Sequence, residues 1–319
     1  MKRVSGNPML LVTGATTFIG RAVLRNLSTY GYSIRTLLEP SMESPILPPG
    51  VSVEVALSSL DDERGVRAAM VDVSAVIHLA GTGLDRSIDD PAMIDAEGTR
   101  VLVEAAEAAG VERLIYQSTL GADPASAYPQ IRAKAIAENY IRNSHIPYTI
   151  LRSAVLFGAD DCFTTSLAML MAGSVLFFPV PGGGSTVLQP LWVEDLATCI
   201  SWSLDEDETV GGTFDLGGPE YFTFRQIVSI VMRAASIMRI VVPARPPYLR
   251  GGAWLMERTL RYSPISTNWL DYLAVNRTTD LDTLPRIFGL APTRLEDRLD
   301  HLRGKNWGWE MLRRQFSER

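Results

Sequence analysis

The stretch MLLVTGATTFIGRAVLRNL, residues 9–27, joins an apolar run to an amphipathic one through a turn that holds Gly14 and Gly20. Strand, glycine turn and helix in that order point to anion binding. The first glycine allows a tight turn after the strand, and the last lets the helix pack closely on it. The backbone amides of Thr16, Thr17, Phe18 and Ile19 then face the helix N-terminus, where the dipole favours negative charge. A middle glycine would let the backbone approach a pyrophosphate, but Thr17 stands in its place. Its Cβ is expected to crowd the phosphates and its hydroxyl to be a candidate donor to one, which gives a weakened site rather than an abolished one. Glu39 follows Gly20 by 19 residues and ends the next strand, where an acid holds the ribose hydroxyls of NAD and repels the extra phosphate of NADP. Arg35 argues for NADP, but alternation puts it inside the strand, so NAD is favoured. The competing reading of Glu39 is a solvated acid ahead of Pro40.

Other reactive types are scattered. His78, His145 and His301 share no motif, and His78 lies inside an apolar strand pattern, where a structural histidine is expected rather than a metal ligand. Cys162 and Cys199 have no CxxC spacing and read as small core residues. No Gly-x-Ser-x-Gly elbow supports hydrolase chemistry.

The chain of 319 residues carries a net charge of −6, with no stretch that concentrates Lys and Arg, so nucleic acid is not an expected partner. Two dispersed cysteines and the lack of a signal-peptide core after Lys2 and Arg3 fit a cytoplasmic protein. The longest apolar run, Leu167 to Val180, is too short to span a bilayer. It reads as a buried helix followed by a strand, the alternative being an interfacial or partner-facing segment at the cytoplasmic face of a membrane.

Strand and helix patterns alternate through the first half, which requires βαβ crossovers and predicts an α/β fold with a doubly wound parallel sheet. Strands are expected at Leu10 to Val12, Tyr32 to Glu39, Val51 to Ala56, Ala75 to Gly81, Arg113 to Thr119 and from Tyr148. Helices are expected from Phe18 to Tyr30, after Asp61 and Asp62, from Met93 to Ala109 and from Ile131 to Asn143. Residues 1–157 read as the dinucleotide-binding core and 158–319 as a smaller substrate or partner lobe, with 211–218 returning to the core sheet. The glycines at 182 to 184 read as a turn, and Thr223 as the cap of a later helix.

Taken together, TGATTFIG, AVIHLAG, IDAEGTRVLVEAAEAAGVERLIYQST and IRAKAIAEN resemble the short-chain dehydrogenase/reductase superfamily in its extended and atypical branches. The pattern is most similar to the NmrA-like proteins and to the nucleotide-binding accessory subunit of respiratory complex I. The resemblance implies a cofactor lying against Ser59, Leu60, Leu79, Ala80, Gly81, Lys134, Ala154 and Val155. It also implies a Tyr-x-x-x-Lys pair with a strand-end serine, in which the ammonium lowers the phenol's pKa for proton exchange.

Lys134 occupies the lysine position and Ser118 the serine position, beside Thr119. Gln130 replaces the tyrosine. Tyr128 is six residues from Lys134 and off its helical face, and Tyr128 with Arg132 is a poor substitute pair. Asp95 stands where relatives carry Asn, and Ser58 and Ser59 where many carry Gly-Asp. These departures imply a nucleotide-binding accessory or regulatory component of a larger assembly, such as a membrane redox complex. The alternatives are an atypical NAD(P)H-dependent reductase working through Lys134 without the tyrosine, or a nucleotide-sugar epimerase or dehydratase.

Overall fold

The computed structural model describes residues 8–41, 45–84 and 90–316. The apolar run of the opening stretch forms β1 (Met9–Thr13), and the amphipathic run forms α1 (Phe18–Tyr30). Gly31, at φ 76°, ends the helix in the left-handed conformation that glycine adopts without steric cost. β2 (Ser33–Leu38) follows, then β3 (Glu54–Leu57), α2 (Glu63–Ala69) and β4 (Val73–His78). After a π-helical turn at Ala92–Glu97 come α3 (Gly98–Ala109), β5 (Arg113–Thr119), α4 (Pro129–Arg142) and β6 (Tyr148–Ser153).

Several boundaries shift by a few residues, the strand expected at Ala75 to Gly81 running instead from Val73 to His78, and two further differences have clear physical reasons. The third strand begins at Glu54 rather than Val51, since Pro48, Pro49 and Gly50 lead into it and pairing with β2 starts at Arg35 opposite Glu54. It is an edge strand with Glu54, Val55 and Leu57 exposed. The helix expected from Met93 is instead wide-wound up to Glu97, in a segment that turns Asp95 fully inward.

The remaining elements are β7 (Leu156–Phe157), α5 (Thr164–Gly173), β8 (Phe177–Pro181), β9 (Val187–Leu188), β10 (Leu191–Trp192), α6 (Val193–Trp202), β11 (Gly212–Leu216), β12 (Phe222–Thr223), α7 (Phe224–Ala234), β13 (Ile240–Ala244), α8 (Pro246–Thr259), α9 (Thr267–Tyr272), α10 (Thr283–Phe288) and α11 (Trp307–Phe316). Seven strands form one parallel sheet in the order β11-β6-β5-β4-β1-β2-β3. Strand order reverses between β1 and β4, and such switch points are where open α/β sheets bind ligands.

The chain beyond Gly158 divides between two bodies of apolar side chains. β11 extends the sheet beside β6, and α6 lies on α1 through Arg25 with Glu194 at 2.5 Å and Trp202 Nε1 donating to the Tyr30 hydroxyl at 3.0 Å. Leu196, Ile200, Leu216, Leu284 and Phe288 therefore share a core with Leu10, Val23 and Ile77. A second core, built from Phe163, Leu167, Met169, Phe224, Ile227 and Trp269, holds the smaller lobe together. The apolar run forms the buried helix α5 and then β8. Thr223 caps α7 with a reciprocal box in which Gln226 answers its backbone amide.

The lobe reaches the sheet at its carboxyl ends. Ser266 donates to the Leu84 carbonyl after β4, and Arg277 donates to the Leu120 carbonyl after β5.

Candidate functional site

The loop between β1 and α1 shows why its two glycines are required. Gly14 has φ +69°, and a Cβ there would sit 2.7 Å from the Ala80 amide nitrogen. At Gly20 a Cβ would lie 2.1 Å from the Gly14 carbonyl oxygen, so helix and strand approach closer than any side chain permits. Phe18 and Ile19 open α1, and their amides have no intrahelical carbonyl to bond, which leaves them for an anion.

Thr17 is the N-cap. Its φ of −69° and ψ of 167° suit any residue, its hydroxyl accepts from the Gly20 amide at 3.0 Å, and it donates to the Gly14 carbonyl at 2.7 Å. The hydroxyl read as a donor to phosphate is thus committed to the loop's own backbone. Sequence reading also passed over Arg21, whose Nη1 donates to the Thr16 carbonyl at 2.7 Å and sets a guanidinium beside the loop. Burial lowers its pKa, opposed by Asp160, and the group remains a cation at any ordinary pH.

At the next strand end, Glu39 is exposed immediately after β2. Arg35 is engaged elsewhere: Nε donates to Glu54 at 2.7 Å, and Nη1 to the carbonyls of Ala69 and Val71 at 2.8 and 2.6 Å. After β3, Ser58 is buried and its hydroxyl donates to the Ser59 carbonyl, Ser59 is half-buried, and Leu60 packs against Gly98. Asp62 caps α2 through the Arg64 amide at 3.1 Å.

The end of β4 is fixed by Thr13, whose hydroxyl accepts from the amides of Leu79 and Ala80, both at 3.2 Å. The same hydroxyl meets His78 Nδ1 at 2.7 Å, while Nε2 meets the Thr99 hydroxyl at 2.9 Å. His78 is fully buried and stacks on Tyr116 with ring centroids 5.3 Å apart. Burial, reinforced by Lys134, lowers its pKa to about 3, so it is a neutral structural histidine. His145 is exposed beside Glu107, and His301 meets the Thr164 hydroxyl in the lobe, so the three histidines lie apart.

Lys134 does not meet a phenol on its own helix. Its Nζ lies 2.8 Å from Asp95 Oδ1, and the two side chains are 7% and 0% exposed. Burial lowers the lysine pKa, but Asp95 and Tyr116 outweigh it, and the net shift is upward. Asp95 also accepts from the Thr82 amide at 3.2 Å and from the Thr82 hydroxyl. Gly81 makes room for this pair: a Cβ there would stand 2.3 Å from both Asp95 Oδ1 and Lys134 Nζ.

One turn before Lys134, the Gln130 amide donates to the Thr82 carbonyl at 2.6 Å and the Gly83 carbonyl at 3.2 Å, tying α4 to the loop after β4. Tyr128 is the N-cap of α4, ahead of Pro129, and stays off the Lys134 face. Tyr116 does reach Lys134, with Nζ 5.4 Å from its ring centroid, but it is wholly buried and burial raises its pKa. Raising a phenol's pKa is the opposite of what proton exchange near neutrality needs.

Ser118 lies at the end of β5 as expected, but its hydroxyl donates to Glu138 Oε1 at 2.6 Å and is fully buried. Glu138 also holds Arg152 through Nε at 2.8 Å and Nη2 at 2.6 Å, and Arg142 at 2.7 Å. Ser118 therefore belongs to a buried ionic cluster between α4 and β6. Ala154 and Val155 are buried just after β6, held by the Ala154 amide on Leu216 at 2.8 Å and the Leu191 amide on Val155 at 2.9 Å. Arg277, unnoticed in the sequence, is buried over the Tyr272 ring and binds the lobe to the β5 loop. Cys199 is a core residue whose thiol burial pushes up.

The strand ends thus set side by side the β1–α1 turn with its two unbonded amides, an acid after β2, and a lysine paired with Asp95 between β4, β5 and α4. These residues suit a nicotinamide dinucleotide. The chain is 32% identical over 228 residues to the NADH dehydrogenase [ubiquinone] 1 alpha subcomplex subunit 9 of Arabidopsis thaliana, covering 69% of this chain and 56% of that one. It is 30% identical over 191 residues to a ceramide reductase of Caulobacter vibrioides, covering 59% and 58%. This chain thus spans little more than half of either relative. Its fold matches the solved UDP-glucose 4-epimerase of Thermus thermophilus in complex with NAD, with a TM-score of 0.70 and 20% identity over 93% of this chain and 99% of that one. Residues 14–173, which carry the whole cradle and α4, match the profile of the NAD(P)H-binding family, and the chain belongs to that family.

Proposed function

We propose that this protein holds a nicotinamide dinucleotide without turning it over, and serves as an accessory or regulatory component of a larger assembly. The observation that carries the reading is the loss of the proton-transfer pair around Lys134. Gln130 has no proton to exchange near neutral pH, and its amide latches the β4 loop. The Lys134 ammonium faces Asp95 rather than a phenol. The cradle is meanwhile complete enough to bind, with Gly14, Gly20 and two amides at the start of α1. Glu39 at the end of β2, with Arg35 engaged by Glu54, favours NAD over NADP.

Similarity to a subunit of an NADH dehydrogenase supports a redox complex as the assembly; in this reading the complex is membrane-bound and the protein sits peripherally at its cytoplasmic face. No helix among the described residues is long and apolar enough to cross a membrane. The similarity to a ceramide reductase favours a second reading, a reductase acting through Lys134, in which the ammonium must turn from Asp95 toward the cofactor.

Calorimetric titration with NADH and NADPH tests the first step. NADH is expected to bind, and NADPH to bind less well. If neither binds at millimolar concentration, the dinucleotide reading is wrong. Steady oxidation of NADH by carbonyl or enoyl acceptors, abolished by Lys134→Ala, would establish the reductase instead. Co-purification of an integral membrane complex from native membranes tests the assembly.

A further inference from the structure

One end of the smaller lobe is apolar where nothing in the described chain covers it. α11 buries Trp307 and sets Met311 against Gly173 at the end of α5. Trp309, Leu312 and Phe316, spaced i, i+3, i+7 along the same helix, are 66%, 53% and 82% exposed. The turn that leaves α5 adds Val175, 95% exposed, and then Leu176 and Phe177. Met238, 90% exposed, lies beside this turn: Arg239 Nε donates to the Ser174 carbonyl at 2.8 Å, and β13 places Ile240 opposite Phe177. Ala172 and the turns 235–239 and 304–308 line a single depression of about 460 Å³ between them.

The last third of the chain, which supplies α11 and the turns 235–239 and 304–308, is basic where the rest is acidic. Residues 225–319 hold 16 Lys and Arg against 9 Asp and Glu, whereas residues 1–224 hold 14 against 27. Around the depression and the adjoining face of α11, the cations Arg239, Arg303, Lys305, Arg313 and Arg314 meet the carboxylates Asp160, Asp300 and Glu310, with Asp300 paired to Arg303 and Glu310 shared by Arg313 and Arg314, so the face is net basic. Exposed Trp, Leu and Phe flanked by Lys and Arg are the composition of a helix that lies in a membrane interface, with cations among anionic headgroups. A symmetric contact with a second copy would instead set one net-basic patch against another.

We propose that the exposed face of α11, together with the turn between α5 and β8, docks on an anionic lipid bilayer. The proposal deepens the accessory reading above by naming the surface through which the protein meets a membrane. It is tested separately from nucleotide binding, which is measured on the same sample.

The full chain is sedimented with phosphatidylcholine vesicles, and with the same vesicles containing phosphatidylglycerol, at low and high salt, while NADH is titrated in parallel. Sedimentation is expected with the anionic vesicles, falling steeply with salt. Leu312→Glu with Phe316→Glu is expected to weaken it about 10-fold or more, since two apolar anchors are lost. Lys305→Glu with Arg313→Glu is expected to do the same through headgroup repulsion. All four positions are on the surface, and NADH affinity should be unchanged in both variants. A sample that binds NADH but does not sediment with anionic vesicles overturns the proposal. So does equal sedimentation with neutral vesicles, or a dimer that the Leu312→Glu, Phe316→Glu variant breaks, which would assign the face to a second copy. Sedimentation with anionic vesicles by a sample that fails to bind NADH supports this proposal and contradicts only the nucleotide reading.

Discussion

Lys134 and Asp95 form a buried ion pair at 2.8 Å, beneath a glycine whose missing side chain gives them room. Lys134 comes from α4 and Asp95 from the π-helical turn before α3, so the pair also joins two helices across the ends of β4 and β5. A buried pair loses much of its Coulombic gain to desolvation, but breaking one leaves an uncompensated charge. Lys134→Met is therefore expected to destabilise the protein by about 3–5 kcal/mol. Adding Asp95→Asn should recover much of that loss. Urea unfolding of the single and double variants checks this, and equal stability of the two would show that Asp95 is not left charged and buried.

Gln130→Tyr restores the spacing of a Tyr-x-x-x-Lys pair without restoring its chemistry, because Asp95 still faces the ammonium. The substitution removes two hydrogen bonds to the β4 loop and should cost about 1–2 kcal/mol. Thermal melts and an NADH oxidation assay measure the two effects together. Turnover in this single variant would mean that Lys134 is already available for catalysis.

Thr17 caps α1, so Thr17→Ala should cost about 1 kcal/mol and Thr17→Gly only a few tenths. Removing the side chain also frees the Gly20 amide and clears the approach to the cradle. Thr17→Gly is accordingly expected to tighten NADH binding without producing activity. Weaker binding would show that Thr17 itself contacts the nucleotide.

His78 makes stability depend on pH. Its pKa is about 3 in the folded state against 6.5 as the ordinary value, so between these limits the unfolded chain binds the proton that the folded chain refuses. Stability from this group is complete above about pH 6.5 and falls by roughly 1.4 kcal/mol per unit as pH drops toward 3. Between pH 7 and pH 5 the loss should be about 2 kcal/mol. Denaturation profiles of the native protein and His78→Gln compare directly. The variant should have the flatter curve, and parallel curves would place the proton elsewhere.

Local signals made the nucleotide half legible. α1, its Gly31 cap, β5 and the Asp62 cap are set by neighbours a few residues away, and the roles of Gly14 and Gly20 followed from the same stretch. The arrangement around Lys134 was not legible, since Asp95 precedes it by 39 residues and meets it only because two crossovers return to the carboxyl ends of β4 and β5. Reading Asp95 as a lost amide missed that it gains a cation. Ser118 had the right position, but only the fold reveals Glu138 beside it. The basic bias of the last third escaped notice because its cations are spread along 95 residues rather than clustered in a run.

The central claim is that the dinucleotide is held and not consumed. Its most direct test mixes the protein, saturated with NADH, with an excess of carbonyl and enoyl acceptors while nicotinamide absorbance is followed through one turnover and beyond. The reduced cofactor should persist unchanged with every acceptor, at the stoichiometry found by calorimetry. Its oxidation at a steady rate, lost in Lys134→Ala, would contradict the account and make the protein a reductase.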